Sequence, residues 1–209
     1  MKNVNERRYP NIDKAVAFEI AFDPFVYFYD NVPFEKFIEE PCDKCLFPLQ
    51  TGDYLSSRTY CKKDYGILAT YEYGVGDKLF NELINNFDIS EDDFRPIRTL
   101  KGEVVFHQII GGHILPPIHE INGWIPITCE KCGRTWWNDS GLELYNEKDE
   151  EYHFITEEAY LDLHDLNRTS ELMGKFYYPK RIVNRRVYDF LSERYPRMSF
   201  RPFFLSKNI

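Results

Sequence analysis

The chain has 209 residues, 43% of them apolar and 29% charged, with a formal net charge of -8. That composition is ordinary for a globular protein and supplies a substantial core, in one large domain or two small ones. No apolar run approaches the ~20 residues a bilayer-spanning helix needs, and the polar start lacks the apolar stretch of a signal peptide, so a cytoplasmic protein is expected.

Aromatic residues reach 17%, with 17 Phe and 15 Tyr, which predicts an interior dominated by ring packing. In chain order, 15–22 reads as a strand and 33–40 as a short helix with Pro33 in its first turn. The segment 67–73 is β-branched and aromatic and reads as a strand, with Gly74 and Gly76 marking a turn after it. Leu79, Phe80, Leu83, Ile84 and Phe87 recur at helical spacing, which predicts a helix over 77–87. The stretch 97–110 is extended and ends in a Gly/Pro-rich loop. A short strand at 124–127 follows. Thr156 is placed to cap a short helix.

The tail predicts an amphipathic helix over 180–195, with Val183, Val187, Phe190 and Leu191 on one face and Arg181, Arg185, Tyr188 and Ser192 on the other. Pro196 stops it. An alternating strand over 198–205 follows, where Pro202 points to an edge strand or a bulge. Strands mixed irregularly with a few helices imply an α+β fold of mixed or antiparallel sheets, ending in a helix followed by a strand. The expected organisation is a single domain over 1–209, with room for two lobes at about 1–135 and 136–209.

Charge is unevenly spread. Residues 139–165 hold ten Asp/Glu against one Lys, and 180–201 hold seven Lys/Arg against Asp189 and Glu193. Either these are two functional surfaces, or they pair internally, or both are solvated faces.

Four of the five cysteines fall into two pairs, Cys42/Cys45 and Cys129/Cys132, and Cys61 is left over. Two thiolates separated by two residues grip one metal ion from a tight turn, whose backbone amides offset the thiolate charge. Gly133 suits a turn needing positive φ. Lys44, Lys131 and Arg134 add positive charge beside the sulfurs. Zinc is the default ion for four sulfurs in a non-redox setting. One structural Zn2+ on Cys42, Cys45, Cys129 and Cys132, in a zinc-ribbon-like arrangement, is the expectation, with metal-free packing or a redox pair as alternatives. Closing the long loop between the pairs costs entropy that grows only logarithmically with its length. Cys61 reads as a small buried hydrophobe, a ligand or a nucleophile. All five histidines lie after residue 100, and His113 or His119 would complete a Cys3His site if one cysteine were unused.

Catalytic motifs are absent. A zinc deaminase places a His-x-Glu before its Pro-Cys-x-x-Cys, and no His precedes His107. There is no His-Glu-x-x-His, Walker loop or Gly-x-Ser-x-Gly, and Gly74-Val75-Gly76 does not open a dinucleotide site. A closed four-sulfur site leaves no position for water. The chain therefore reads as a non-enzyme.

The early pair Cys42/Cys45, the path from Phe94-Arg95-Pro96-Ile97 through Leu115-Pro116-Pro117 to Cys129-x-x-Cys132-Gly133, and the tail 182–191 followed by Phe200-Arg201-Pro202-Phe203 together resemble the bacterial double-CXXCG-motif proteins. The tail is also similar to the ends of immunity proteins from polymorphic toxin systems. Leu46 stands where the family has Gly after the first pair. The resemblance implies a cytoplasmic immunity protein, antitoxin-like, that neutralises a cognate toxin. On that reading the acidic segment 139–165 would cover a basic toxin site such as a nuclease's, and Trp136 and Trp137 would be interface anchors, or else core residues. The competing expectation is a nucleic-acid-binding zinc-ribbon protein using the basic helix, against which stands a pI near 5.2.

Overall fold

A computed structural model describes residues 4–9, 11–21, 38–39, 42–45, 49–50, 55–56, 64–67, 73–99, 101–138, 153–174 and 178–206. The elements in chain order are α1 (Val4–Arg8), β1 (Ala17–Ile20), β2 (Ile38–Glu39), β3 (Leu49–Gln50), β4 (Leu55–Ser56), β5 (Tyr65–Ile67), β6 (Tyr73–Val75), α2 (Asp77–Asn86), β7 (Phe94–Thr99), β8 (Val104–Ile109), β9 (His113–Ile114), β10 (Ile125–Thr128), β11 (Thr135–Asn138), β12 (His153–Ile155), α3 (Glu157–Leu161), β13 (Leu166–Met173), β14 (Tyr178–Asn184), α4 (Arg185–Arg194) and β15 (Phe200–Leu205). The fold is α+β, with mixed and antiparallel sheets, few helices and a closing helix–strand. No helix among the described residues is long and apolar enough to cross a membrane.

The chain divides into two compact units that interleave along the sequence: Met1–Asp23, Gly112–Thr128 and Arg134–Ile209 form the first, Pro24–Gly111 and Cys129–Gly133 the second.

The first unit is built on an eight-stranded sheet in the order β10-β11-β13-β14-β1-β15-β12, with β9 beside the start of β13. All four residues of β1 are buried, because its two sides meet different partners. Phe18 stacks on Tyr188 of α4 with ring centroids 3.7 Å apart, and Val187 and Leu191 bury the same helix face. The opposite side holds Ala17, Leu115, Ile118, Trp124, Ile155, Ala159, Met173, Ile182 and Phe203 in one apolar cluster. Burying nine such side chains is the main stabilising term of this unit. Asn5 of α1 ties the N-terminal segment to the sheet: its amide donates to Met198 O at 2.9 Å and accepts from Phe200 N at 2.8 Å.

The second unit carries a five-stranded sheet, β4-β7-β8-β6-β5, and the two-stranded β2–β3. Helix α2 buries Leu79 and Leu83. Phe80 lies edge-on to Phe94 at 5.0 Å and flat on His107 at 3.8 Å, and His107 Nε2 reaches Asp77 Oδ1 at 2.9 Å.

The strand at 15–22, the helix at 77–87, the strand leading into Cys129 and the Thr156 cap all appear, the last with Thr156 Oγ1 accepting from Ala159 N at 3.1 Å. Four expectations are corrected. Ile38 and Glu39 are not helical: they pair with Gln50 and Leu49 as a strand. Gly74 is not in a turn but inside β6, opposite Gly66 and Gln108; most of the strand expected at 67–73, residues 68–72, lies outside the described residues.

The tail helix is shorter than its periodicity implied. Residues 180–184 belong to β14, and α4 begins at Arg185, where Asn184 Oδ1 accepts from Val187 N at 3.1 Å as a helix cap. Val183 is buried by the sheet, and Tyr188, expected on the polar face, is buried against Phe18. Lys180 and Arg181 are buried too, so the basic stretch is not one exposed helix face. Finally, β15 is not an edge strand: it pairs antiparallel with β1 and parallel with β12. Pro202 fits there because Ala21 donates to Ser199 O at 2.9 Å. Counting in twos puts the next exchange at Glu19/Arg201 and leaves Phe18/Pro202 as a non-bonded pair. The β12 ladder begins only at Phe203.

Candidate metal centre

Two hairpins present the cysteines. Strands β2 and β3 pair antiparallel, and the described part of the loop joining them is the Cys42–Cys45 turn. Strands β10 and β11 pair from Ile125↔Asn138 to Thr128↔Thr135, the last pair bonded through its hydroxyls at 2.8 Å. The turn after Thr128 holds Cys129 and Cys132. It closes through Gly133 N donating to Cys129 O at 2.8 Å, with Gly133 at φ 72°. That left-handed conformation is the one a non-glycine residue resists.

The four sulfurs converge. Cys42 Sγ is 3.9 Å from Cys129 Sγ, Cys45 Sγ is 3.7 Å from Cys132 Sγ, and all four lie within 4.8 Å of one another. These separations exceed the ~2.05 Å of a disulfide, and all four cysteines are free thiols. A tetrahedral ion with metal–sulfur bonds of ~2.3 Å spaces its sulfurs about 3.8 Å apart. The cluster therefore matches the cage of a four-thiolate metal ion and can bind one.

The electrostatics favour thiolate. Cys129 is lowered to about 6, chiefly by the backbone amide of Cys132, with burial opposing and the Lys131 amide assisting. Cys42 is also lowered, first by the backbone amide of Cys45 and then by that of Lys44. These amides are the turn donors expected of a Cys-x-x-Cys loop. Cys129 is buried, Cys42 and Cys45 half-buried and Cys132 exposed. The lysines inside the pairs meet carboxylates of the opposite turn. Lys131 Nζ bonds both carboxylate oxygens of Asp43 at 2.7 Å, and Lys44 pairs with Glu130. Each Cys-acid-Lys-Cys turn is thus bridged to the other by two crossed ion pairs.

The histidines go elsewhere. His119 Nδ1 meets Glu171 Oε1 at 3.0 Å, a carboxylate that also accepts from Ile118 N and His119 N at 2.6 and 2.8 Å. His113 gathers with Asp162 and His164. Trp137 packs against the apolar cluster of the first unit, and Trp136 is half-buried on β11. Of the acidic segment, 139–152 lies outside the described residues, as do Cys61 and Leu46. In the described part, Asp165 is buried against Asn184 and Arg186.

Sequence reasoning missed two charged constellations. One is the His113–Asp162–His164 group, whose only local trace is the Asp-x-His spacing. The other is a buried trio with a half-buried fourth member: Lys180 Nζ sits 3.0 Å from Glu19 Oε2 and 3.5 Å from His153 Nε2, and the half-buried Arg201 approaches Glu19 at 3.8 Å. No family model, curated protein or solved structure matches the chain.

Proposed function

We propose that the four cysteines hold one structural zinc ion, and that the chain is a non-enzymatic immunity protein that binds and neutralises a cognate bacterial toxin. The convergence of Cys42, Cys45, Cys129 and Cys132 within 4.8 Å carries the metal part of this reading. Zinc is the ion of choice because four thiolates in tetrahedral array, in a reducing setting, favour a soft-tolerant ion without redox chemistry. Four sulfurs fill its coordination shell, so its role is to brace two distant turns rather than to activate water.

The toxin-binding part rests on the resemblance to the double-CXXCG-motif and immunity proteins. The net charge of -8 agrees with a partner that is basic. An inhibitor needs a preorganised face and no chemistry of its own, and a metal-braced pair of turns supplies rigidity. Trp136, half-buried on β11, is the aromatic anchor this reading assigns to the partner.

Co-expression tests it. The product of a toxin gene neighbouring this one should co-purify with the chain and lose its toxicity in cells that make it. Cells that die equally with and without the chain would refute the immunity role while leaving the metal site standing.

A further inference from the structure

We propose that His113, Asp162 and His164 form a second metal site, a three-ligand His2Asp centre for a divalent ion such as Zn2+, with its remaining coordination open to solvent. The three side chains offer ligand atoms all within 4.8 Å of one another. His113 Nε2 meets Asp162 Oδ2 at 2.6 Å, and the His164 ring lies beside that of His113 at 4.2 Å, 18° from parallel, so the exposed His164 ring turns out of the stack to aim both in-plane lone pairs at one ion. A tetrahedral ion with bonds of ~2.0–2.1 Å to imidazole and carboxylate spaces those atoms about 3.3–3.4 Å apart. That value lies between the closest pair here and the outer limit of the group. His113 is half-buried, and Asp162 and His164 are exposed, so the side-chain ends are free to open the close pair onto an ion. Two imidazoles and one carboxylate suit zinc and its neighbours rather than calcium or magnesium.

The backbone holds the three ligands around one residue. Asn167 is fully buried and clamps His164 from both sides, accepting from His164 N at 2.9 Å and donating to His164 O at 2.7 Å. It stands opposite His113 in the parallel pairing of β9 with β13. Gly112, at φ 110°, lets that strand approach, since a Cβ there would lie 2.9 Å from the carbonyl carbon of Asn167. Asp162 is the C-cap of α3, with its N–H bonded to Glu158 O at 3.1 Å. Leu163, between the two downstream ligands, packs against the apolar cluster and fixes the segment. A buried amide and a helix end thus fix the backbone of these residues, and their exposed side chains turn to meet the ion. Three protein ligands with open positions is the pattern of an exchangeable or reactive site, unlike a closed four-sulfur cage.

The test is calorimetric titration with Zn2+ of protein already carrying one equivalent of zinc. Wild type should take up a second equivalent. His164→Ala should weaken that second event about 100-fold or more and leave the first intact, and Asp162→Asn should weaken it in the same direction. Circular dichroism would check that these exposed substitutions leave the fold unchanged. A wild type that binds only one equivalent, or a second event of equal affinity in both variants, would overturn the proposal.

Discussion

Lys131 Nζ lies 2.7 Å from both carboxylate oxygens of Asp43, across 88 positions of sequence, and Lys44 makes the reciprocal pair with Glu130. The two Cys-x-x-Cys turns are therefore matched in more than their cysteines: each supplies an acid and a lysine to the other. The side chains remain largely exposed, 59% for Lys131 and 73% for Asp43, and exposed pairs contribute about 0.2–1 kcal/mol. Lys131→Ala should cost no more than about 1 kcal/mol in urea unfolding, less at high salt, with metal content unchanged. The exchange Asp43→Lys with Lys131→Asp should restore what either single change loses.

The sulfurs are a different matter. Cys129→Ser should lose the bound metal and destabilise the second unit by several kcal/mol, because the binding free energy of a structural ion is folding free energy. Chelator treatment of wild type should reproduce that loss, and metal addition should reverse it. Elemental analysis alongside thermal melting checks both.

Two glycines separate strain from crowding. Gly133 has φ 72° with nothing within 4 Å of the place a Cβ would occupy, whereas Gly112 combines φ 110° with backbone of Asn167 at 2.9 Å. Gly133→Ala should therefore cost only about 1–2 kcal/mol, the left-handed penalty alone. Gly112→Ala should cost a further ~1–3 kcal/mol for forcing β9 off β13. Chemical denaturation of the two variants gives the comparison directly.

Glu19 makes the fold acid-sensitive. Burial pushes its carboxyl up, but Lys180, then Arg201 and His153, outweigh that and hold it below its ordinary value of 4.5. A carboxyl lowered on folding contributes stability that is complete above its unfolded value and is lost as pH falls through the folded one. The unfolding free energy should thus decline in the acid range below about 4.5. Glu19→Gln should flatten that decline and cost about 3–5 kcal/mol at neutral pH, by leaving Lys180 buried without its partner. Replacing both, Glu19→Leu with Lys180→Met, should recover most of the neutral-pH loss. Urea titrations from pH 7 downward would show it.

How much of this was legible in the residues depends on range. The four-cysteine cluster was readable because each half of it is a local turn motif, and the only long-range step was that the halves meet. The α2 helix was readable from Leu79, Phe80 and Leu83. The start of α4 was not, because Val183 continues the helical spacing of Val187 and Leu191 while being buried by strand neighbours on both sides. Pro202 misled in the same way, since only the register with Phe18 shows that no ladder bond is asked of it. The His113–Asp162–His164 group lay beyond reach: His113 precedes Asp162 by 49 positions and joins it through a parallel pairing that no local pattern announces.

Whether the four thiolates enclose one ion is tested most directly by X-ray absorption at the zinc edge, on protein given one equivalent of zinc. The expected result is a first shell of sulfur alone at about 2.3 Å, lost in Cys129→Ser. A shell dominated by nitrogen or oxygen, or a protein that does not retain the ion, would contradict the four-sulfur cage.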